Sequence, residues 1–448
     1  MFPVDRSSKI LLGTRVKVGG RFRAGPGAEG EARQRWNTPC MLSRSLVEIG
    51  VTRPEPRGVT RPMKTPLTTS IALGFLALPN SGFAHGDRCP PAELRRDLQV
   101  ILDTAVSDGS PPGASLHVRT EHGAGWADSA GLADVENEVP LSTRHRTRAG
   151  SVLKSMVATA VLQLAEEDML DLDEPLTRYL APDITDAIPF AAEVSLRMLL
   201  GHRSGVAEWV TDDVVKARVL VEPSHVWTTE EILAIVSSQT PVFRPGERYG
   251  YSNTNYVLLG HVLEAVEGRP WRAVVRRRVL RRADLAHTRL PAPGTVCPEP
   301  CAHGYQEVGG QWLDLTNVDP SMAGASGGHA LVTTPTDLTR FHQKLLSGAL
   351  FRHAATLSTM LDFQPAADDQ PYQVAYGLGL ARFDIEGHEA IGHVGSTAGY
   401  FSYMLYLPAT QRFLSGYINL GSNTESAAVV LPLLLRLDTP DSPARPRL

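Results

Sequence analysis

The stretch Ala149-Gly150-Ser151-Val152-Leu153-Lys154-Ser155-Met156-Val157-Ala158 decides what can be predicted for this chain. Ser151 and Lys154 are three residues apart, so on a helix their side chains share one face and can meet. An apolar stripe follows at helical spacing, formed by Leu153, Val157, Val161 and Leu164. A lysine beside such a stripe loses hydration, which disfavours its charged form and lets it accept a proton from a serine hydroxyl. Ser-x-x-Lys alone also occurs as two solvated residues of an ordinary helix.

Length and composition indicate a soluble globular protein. The chain has 448 residues, enough for two or three average domains, of which 42% are hydrophobic and 21% charged. Residues 1–84 carry 13 Lys and Arg against 5 Asp and Glu, whereas residues 85–448 carry 31 against 43. The excess of acidic residues in 85–448 argues against a nucleic-acid partner.

Residues 63–84 have the pattern of a secretory signal peptide. Lys64 precedes the apolar run 67–78, and the small residues Gly82 and Ala84 follow. The run is too short to span a bilayer, and no cysteine directly follows Ala84 to carry a lipid. We therefore expect cleavage after Ala84 and a secreted or periplasmic protein without a stable membrane anchor. Residues 1–62 are rich in Arg, Gly and Pro, and we expect them to be a disordered or non-native leader, with translation starting at Met63.

The cysteines permit a small disulfide. Cys297 and Cys301 can close a short loop and leave Cys89 over, while Cys40 lies in the leader. His303 follows closely, but two cysteines and one histidine fall short of a metal-ligand set. We predict no metal and no cofactor.

Hydrophobic periodicity predicts strands towards both ends of the chain and helices between them. Helices are expected at residues 92–107, 149–168, 195–202, 229–238, 253–266, 335–346 and 424–437. Strands are expected at residues 114–119, 126–135, 376–383, 389–393, 400–407 and 412–420. This order predicts an α/β fold of the α+β type, in which an antiparallel sheet is flanked by helices and an α-rich lobe is inserted. Residues 85–448 would form one domain of two lobes.

Two further stretches carry polar side chains suited to catalysis. Tyr251 and Asn253 lie on a loop entering a helix, where a phenol can pass a proton and an amide can hold a substrate group; they also suit a helix cap beside a packed aromatic residue. Gly392-His393-Val394-Gly395-Ser396-Thr397 lies at the end of a predicted strand, where glycine admits close approach. A single histidine there is often structural.

Taken in this order, Ser-x-x-Lys, Tyr-x-Asn and His-x-Gly resemble the penicillin-recognising serine hydrolases, which include DD-peptidases, β-lactamases and related esterases. The gaps of 100 and 142 residues between the motifs are similar to those of secreted, low-molecular-mass D-Ala-D-Ala carboxypeptidases. Supporting stretches are 199–205, 245–246, 302–305, 327–328 and 333–338. The resemblance runs from roughly residue 92 to 436 and implies a β-lactamase/transpeptidase-like fold.

The resemblance also implies a role for each motif residue. Ser151 would be the nucleophile and Lys154 its partner in proton removal. Tyr251 would deliver the proton to the leaving amine, and Asn253 would hold the substrate amide. The backbone N–H groups of Ser151 and Ser396 would form the oxyanion hole.

The late motif distinguishes subgroups of the resemblance. His393 would stand where most relatives carry a lysine, ordering Tyr251 and the substrate carboxylate, with Gly395, Ser396 and Thr397 lining the substrate. Arg382 is the candidate for binding a terminal carboxylate; alternatively it is a surface arginine at a strand end. Only three lysines follow residue 84, and none follows residue 344, so the Lys-Thr-Gly of β-lactamases is absent.

These features predict a secreted serine D-Ala-D-Ala carboxypeptidase. It would cleave peptidoglycan stem peptides through a Ser151 acyl-enzyme, bind a small peptide or a β-lactam, and act as a monomer. An esterase, a D-aminopeptidase and a β-lactamase-like hydrolase remain open on the same scaffold. A relative that binds cell-wall peptide without catalysis is the alternative from another class.

Overall fold

A computed structural model describes residues 90–120, 125–366, 372–421 and 423–438. The predicted signal peptide, the leader, Cys40 and Cys89 lie outside these residues, as do His122 and Gly123 between the strands predicted at residues 114–119 and 126–135. None of the described helices is both long enough and apolar enough to cross a lipid bilayer.

A large antiparallel sheet forms the centre of the described structure. The strands, in chain order, are β1 Gly113–Arg119, β2 Gly125–Asp134, β3 Val139–Pro140, β4 Thr147–Arg148, β5 Tyr305–Val308, β6 Gln311–Asp314, β7 Val332–Thr333, β8 Gln364–Pro365, β9 Gln373–Tyr376, β10 Ala381–Ile385, β11 His388–Thr397, β12 Tyr400–Leu407 and β13 Arg412–Ile418. Nine of them pair in the order β3-β2-β1-β13-β12-β11-β10-β9-β8, while β4 pairs with β7 and β5 with β6. The first long strand thus pairs with the last.

Helices cover both faces of the sheet and fill the middle of the sequence. They are α1 Ala92–Ala105, α2 Leu153–Ala165, α3 Pro182–Thr185, α4 Leu196–Leu200, α5 Asp213–Val221, α6 Thr229–Ser237, α7 Asn253–Glu267, α8 Trp271–Val275, α9 Pro335–Leu346, α10 Ala354–Met360 and α11 Asn423–Leu437. The predicted fold class, an antiparallel sheet flanked by helices with an inserted α-rich part, is confirmed.

The helices belong to two apolar cores, according to the face of the sheet on which they pack. One core joins Leu94, Leu98 and Leu102 of α1 to inward residues of β1, β13 and α11. The other surrounds α2, in which every residue from Leu153 to Leu164 is buried. A helix that is buried on all sides needs apolar neighbours in every direction, and the helices of the inserted part supply them.

Several predicted boundaries shift in the structure. The segment predicted as one strand over residues 376–383 is two strands, because β9 ends at Tyr376, the chain turns at residues 377–380, and β10 begins at Ala381. The helix predicted from Ala149 begins as a 3₁₀ turn at Gly150–Val152 and becomes α-helical at Leu153. β11 continues through the late motif instead of ending there.

The predicted short disulfide is present. Cys297 and Cys301 are bonded, with their Cα atoms 6.2 Å apart. The loop lies beside the chain that leads to β4, since the Arg146 N–H donates to Pro300 O and the Ala302 N–H donates to Arg146 O. Residues 291–328, which lie outside every predicted helix and strand, contain only the short hairpin of β5 and β6 as strands.

Candidate active site

The nucleophile candidate lies in the 3₁₀ turn that precedes α2. Gly150 adopts a left-handed conformation with φ +52°, which glycine reaches without strain, and the chain then enters the helix. The Ser151 side chain is partly exposed, whereas Lys154, one turn further on, is completely buried. Their side chains meet, with Nζ of Lys154 3.0 Å from Oγ of Ser151.

Lys154 has two further hydrogen-bond partners, and both are carbonyl oxygens. Nζ donates to Asn253 Oδ1 and to the backbone oxygen of Ser326, each at 2.6 Å. Burial lowers the pKa of Lys154 to about 7, and the negative charge of Glu208 opposes this shift. Burial thus favours the neutral amine of Lys154 near neutral pH. Since carbonyl oxygens only accept, they take the two N–H bonds of the neutral amine, and its lone pair faces Ser151.

Tyr251 lies directly over this pair. Its ring centroid is 4.8 Å from Nζ of Lys154, and among the groups that act on its pKa is the Ser151 side chain, which lowers it against burial. Burial raises the pKa of Tyr251 well above its usual value, so the group stays a phenol and is a proton donor. The ring of His202 packs against it with centroids 4.2 Å apart. The backbone N–H of Ser252 donates to Nδ1 of His202, which fixes this imidazole.

Asn253 is the first residue of α7, and its amide is bonded at both ends. Oδ1 accepts from Lys154, and Nδ2 donates to Oε2 of Glu208 at 2.9 Å. The second hydrogen of Nδ2 is the part of the amide left over for the predicted role in holding substrate. Tyr251 and Asn253 flank Ser252 in the sequence, and both side chains thus reach the pair of Ser151 and Lys154.

His393 has a different partner from the one predicted. Its Nδ1 lies 2.6 Å from the backbone oxygen of Val394, which can only accept, so Nδ1 carries the hydrogen. Nε2 then accepts from the hydroxyl of Tyr376 at 3.0 Å. The family resemblance implies that His393 orders Tyr251. In the structure the hydrogen bond to Nε2 comes from Tyr376 on β9, whose ring also packs against His202 with centroids 5.0 Å apart. Burial lowers the pKa of His393 to about 3, so the imidazole is neutral.

β11 passes the nucleophile turn at Gly395. A Cβ atom at this position would lie 2.1 Å from Ala149 O and 3.0 Å from Ser151 N, so only glycine fits. Ser402, on β12, donates from Oγ to the same Ala149 oxygen at 2.8 Å. The strand therefore brings Ser396, the other predicted oxyanion-hole residue, towards the Ser151 turn. Ser396 is exposed, and the hydroxyl of Thr397 is buried without a hydrogen-bond partner in the described part of the chain.

Arg382 lies on β10 and is half-exposed. Its Nε is 2.8 Å from Oε1 of Glu389, with side-chain exposures of 47% and 44%. The guanidinium predicted to bind a substrate carboxylate is thus already engaged by a neighbouring carboxylate. This contact matches the alternative stated for it, a surface arginine on a strand.

Three residues around the site are not predicted from the sequence: Glu208, Ser326 and Tyr376. Glu208 follows the stretch 199–205, which the family resemblance includes, so its position near the site had a signal. Ser326 contributes only a backbone oxygen, which no side-chain pattern reveals. Among the described residues, no group of His, Cys, Asp and Glu is arranged to hold a metal ion.

Known proteins share this arrangement of sequence and fold. The family model described as Beta-lactamase matches residues 98–438. The chain belongs to the β-lactamase family. The match covers all the predicted catalytic residues.

The members of the β-lactamase family that this chain resembles have names that indicate different activities. The chain is 24% identical over 338 residues to penicillin-binding protein 4* of Bacillus subtilis, covering 70% of this chain and 71% of that relative, and it spans about half, 53%, of the length of PbpX from the same organism. It is similar to a D-stereospecific amidohydrolase from Streptomyces sp., with TM-score 0.66, 30% identity, and coverage of 75% and 97%. A D-amino acid amidase from Ochrobactrum anthropi SV3 has TM-score 0.68, 30% identity, and coverage of 78% and 98%. The chain is a serine hydrolase of the β-lactamase and penicillin-binding protein family.

The pH dependence of this hydrolase is expected to report Lys154. Below its pKa the ammonium has no lone pair for the Ser151 proton, so kcat/KM on an uncharged substrate should rise with pH and level off above about 7. Initial rates between about pH 5 and pH 9 measure this rise of kcat/KM with pH, and circular dichroism checks that the protein stays folded. A profile that is flat across this range would contradict a base with the pKa of Lys154.

Proposed function

We propose that the chain hydrolyses amide bonds on the carbonyl side of a D-amino acid residue, with an uncharged leaving group. Oγ of Ser151 attacks the carbonyl carbon and its proton passes to Nζ of Lys154. The C–N bond then breaks, and Tyr251 gives the leaving nitrogen its proton and is reprotonated from Lys154. Water attacks the resulting ester, with the same groups moving the protons, and releases the acid.

The electrostatics of the site carry the choice of an uncharged leaving group. A terminal carboxylate in the substrate would meet the neutral imidazole of His393, while Arg382, the guanidinium predicted to bind it, lies half-exposed on β10 and pairs with Glu389. An unpaired anion in such a site loses hydration without compensation. A primary amide has no carboxylate in its leaving group and avoids this loss. A peptide cleaved after its N-terminal residue avoids it too when the next residue is uncharged. The two similar structures, named as a D-stereospecific amidohydrolase and a D-amino acid amidase, support the same substrate class.

The second candidate is the D-Ala-D-Ala carboxypeptidase predicted from the sequence. The order of the Ser-Lys, Tyr-Asn and His-x-Gly motifs and the similarity to a penicillin-binding protein favour it. The export signal expected in residues 63–84 would place such an enzyme outside the cytoplasm, near peptidoglycan. Both candidates proceed through an acyl-enzyme on Ser151 and differ in the charge carried by the leaving group.

Rates on three substrates separate the candidates. We expect kcat/KM on D-phenylalanine amide to exceed by at least about tenfold the values on its L-enantiomer and on an N-acylated D-Ala-D-Ala peptide. Released ammonia and released D-alanine measure the two reactions, and Ser151→Ala is the blank. A higher kcat/KM on the peptide would replace the amidase assignment by the carboxypeptidase.

A further inference from the structure

Glu208 lies in the loop between α4 and α5, behind the Ser-Lys pair. Its Oε2 accepts hydrogen bonds from the backbone N–H of Asn253 at 2.6 Å and from Nδ2 of the same residue at 2.9 Å. Oε1 accepts from the backbone N–H of Val210 at 2.8 Å. The carboxylate thus accepts from three donors, two of which belong to Asn253.

These contacts decide which way the Asn253 amide points. A carboxylate can only accept, so the NH₂ group must face Glu208. The amide oxygen then faces Nζ of Lys154, 2.6 Å away. The reversed amide would place its oxygen against a carboxylate oxygen and its NH₂ against Nζ, so the hydrogen bond to Glu208 and the hydrogen bond that Nζ donates to Oδ1 would both be lost.

The orientation of the amide controls the direction of the Lys154 lone pair. Asn253 Oδ1 and Ser326 O occupy two of the three positions around Nζ, and Ser151 Oγ occupies the third at 3.0 Å. With both oxygens in place, the neutral amine points its lone pair at Ser151. If NH₂ of Asn253 faced Nζ instead, that NH₂ would donate to the lone pair and withdraw it from the serine.

Glu208 also supplies negative charge to the surroundings of Lys154. The titratable groups facing Nζ are Glu208, His202, His393, Tyr251 and Tyr256. Burial lowers the pKa of both histidines and raises the pKa of both tyrosines, so these four are neutral at pH 7. Glu208 raises the pKa of Lys154 against the effect of burial. Burial raises the pKa of Glu208 itself, and the N–H donors of Asn253 and Val210 together with the charge of Lys154 oppose that shift and favour the carboxylate.

We propose that Glu208 is a positioning residue for acyl transfer: it holds the Asn253 amide with its oxygen towards Lys154, and thereby aims the lone pair of Lys154 at Ser151. The inference rests on the proposed role of Lys154 as the base, and it does not depend on which amide is the substrate. Glu208 acts through Asn253 and Lys154.

The kinetic test uses p-nitrophenyl acetate, an acyl donor without an amino group or a carboxylate. Glu208→Gln removes the charge and leaves one accepting oxygen, and its kcat/KM should fall about tenfold. Glu208→Ala removes both oxygens and should lose about 10²-fold, towards the loss expected without an aligned base. The matched control is Glu193→Gln, an exposed carboxylate 3.9 Å from Arg244, which should keep the wild-type rate.

A second measurement reads the protonation of Lys154 directly. The full chain has six lysines, so ¹³Cε-lysine NMR gives few signals, and the Lys154→Met variant assigns the one of interest. Removing a negative charge disfavours the ammonium, so Glu208→Gln should move the Lys154 midpoint and the acid limb of kcat/KM to lower pH by at least half a unit. A loss of activity without movement of the midpoint would mark Glu208 as merely structural and overturn the proposal.

Other outcomes are equally decisive. If Glu208→Gln slows D-phenylalanine amide but not p-nitrophenyl acetate, Glu208 binds the substrate ammonium and the positioning role is wrong. If the wild-type protein hydrolyses the acetate but not the D-amide, the proposed substrate class fails while the Glu208 test stands. Should neither substrate react, Lys154 does not act as a base for acyl transfer and the positioning role of Glu208 is wrong.

Discussion

Replacing Lys154 with methionine is expected to lower kcat/KM by about 10³-fold, within the range found for removal of a positioned general base. Methionine has similar length and fits an apolar pocket, but it cannot accept the Ser151 proton. Lys154→Arg is the matched variant, since it keeps the charge and the donors but cannot deprotonate near neutral pH. Both variants should be similarly inactive, because the missing property is the lone pair.

The control for these variants is Lys216→Met, an exposed lysine on α5 that should keep the wild-type rate. Thermal denaturation checks folding and gives a second expectation. Unfolded Lys154 binds its proton up to about pH 10.4, whereas the folded side chain loses it near pH 7. The unfolded state therefore binds more protons in this interval, and wild-type stability should rise relative to Lys154→Met as pH increases from 7 to about 10. If the Lys154→Met variant retained a tenth of the wild-type activity, Lys154 would not be the base.

Gly395→Ala is expected to lower kcat/KM by about 10²- to 10³-fold, comparable to the loss of one oxyanion-hole donor. The new Cβ would lie 2.1 Å from Ala149 O, 2.8 Å from Ser402 Oγ and 3.0 Å from Ser151 N. Either β11 or the nucleophile turn must move, and both carry a predicted oxyanion donor. The effect should fall on kcat, measured with a neutral ester, because the geometry of the transition state is what changes.

Ser402→Ala tests the same contact without added bulk. It removes the hydrogen bond to Ala149 O and leaves more space there, so its activity should fall by about tenfold or less. If Gly395→Ala and Ser402→Ala were equally active, crowding at the nucleophile turn would not explain the glycine. Thermal denaturation of both variants separates a misplaced turn from a loss of folded protein.

The long, strongly patterned elements were predictable because local periodicity alone specifies them. The helix at Pro335–Leu346 and the strand at Tyr400–Leu407 have the predicted bounds. The strand predicted over residues 376–383 was wrong, since the chain turns at residues 377–380 and β9 and β10 on either side pair with each other. The contact between Ser151 and Lys154 was predictable because it needs only three residues of helical geometry.

The remaining contacts of the site depend on tertiary structure. Tyr376 meets His393 only because β9 and β11 flank β10, and Ser326 contributes a main-chain oxygen. Glu208 is one acid among many in the sequence. Its importance becomes visible when the loop after α4 packs behind the start of α7. Sequence patterns thus named the groups that react, while the groups that orient them required the packed structure.

The pairing of β1 with β13 has a consequence for folding. Ala114 lies opposite Ile418, so the sheet closes only after almost the whole chain is available. β11, which completes the site, follows Ser151 by more than 200 residues. Contacts of such long sequence separation form slowly, because loop closure precedes their stabilisation. A chain leaving the ribosome or crossing a membrane would therefore hold its nucleophile without the rest of the site, and hydrolytic activity would begin only when the C-terminal strands dock.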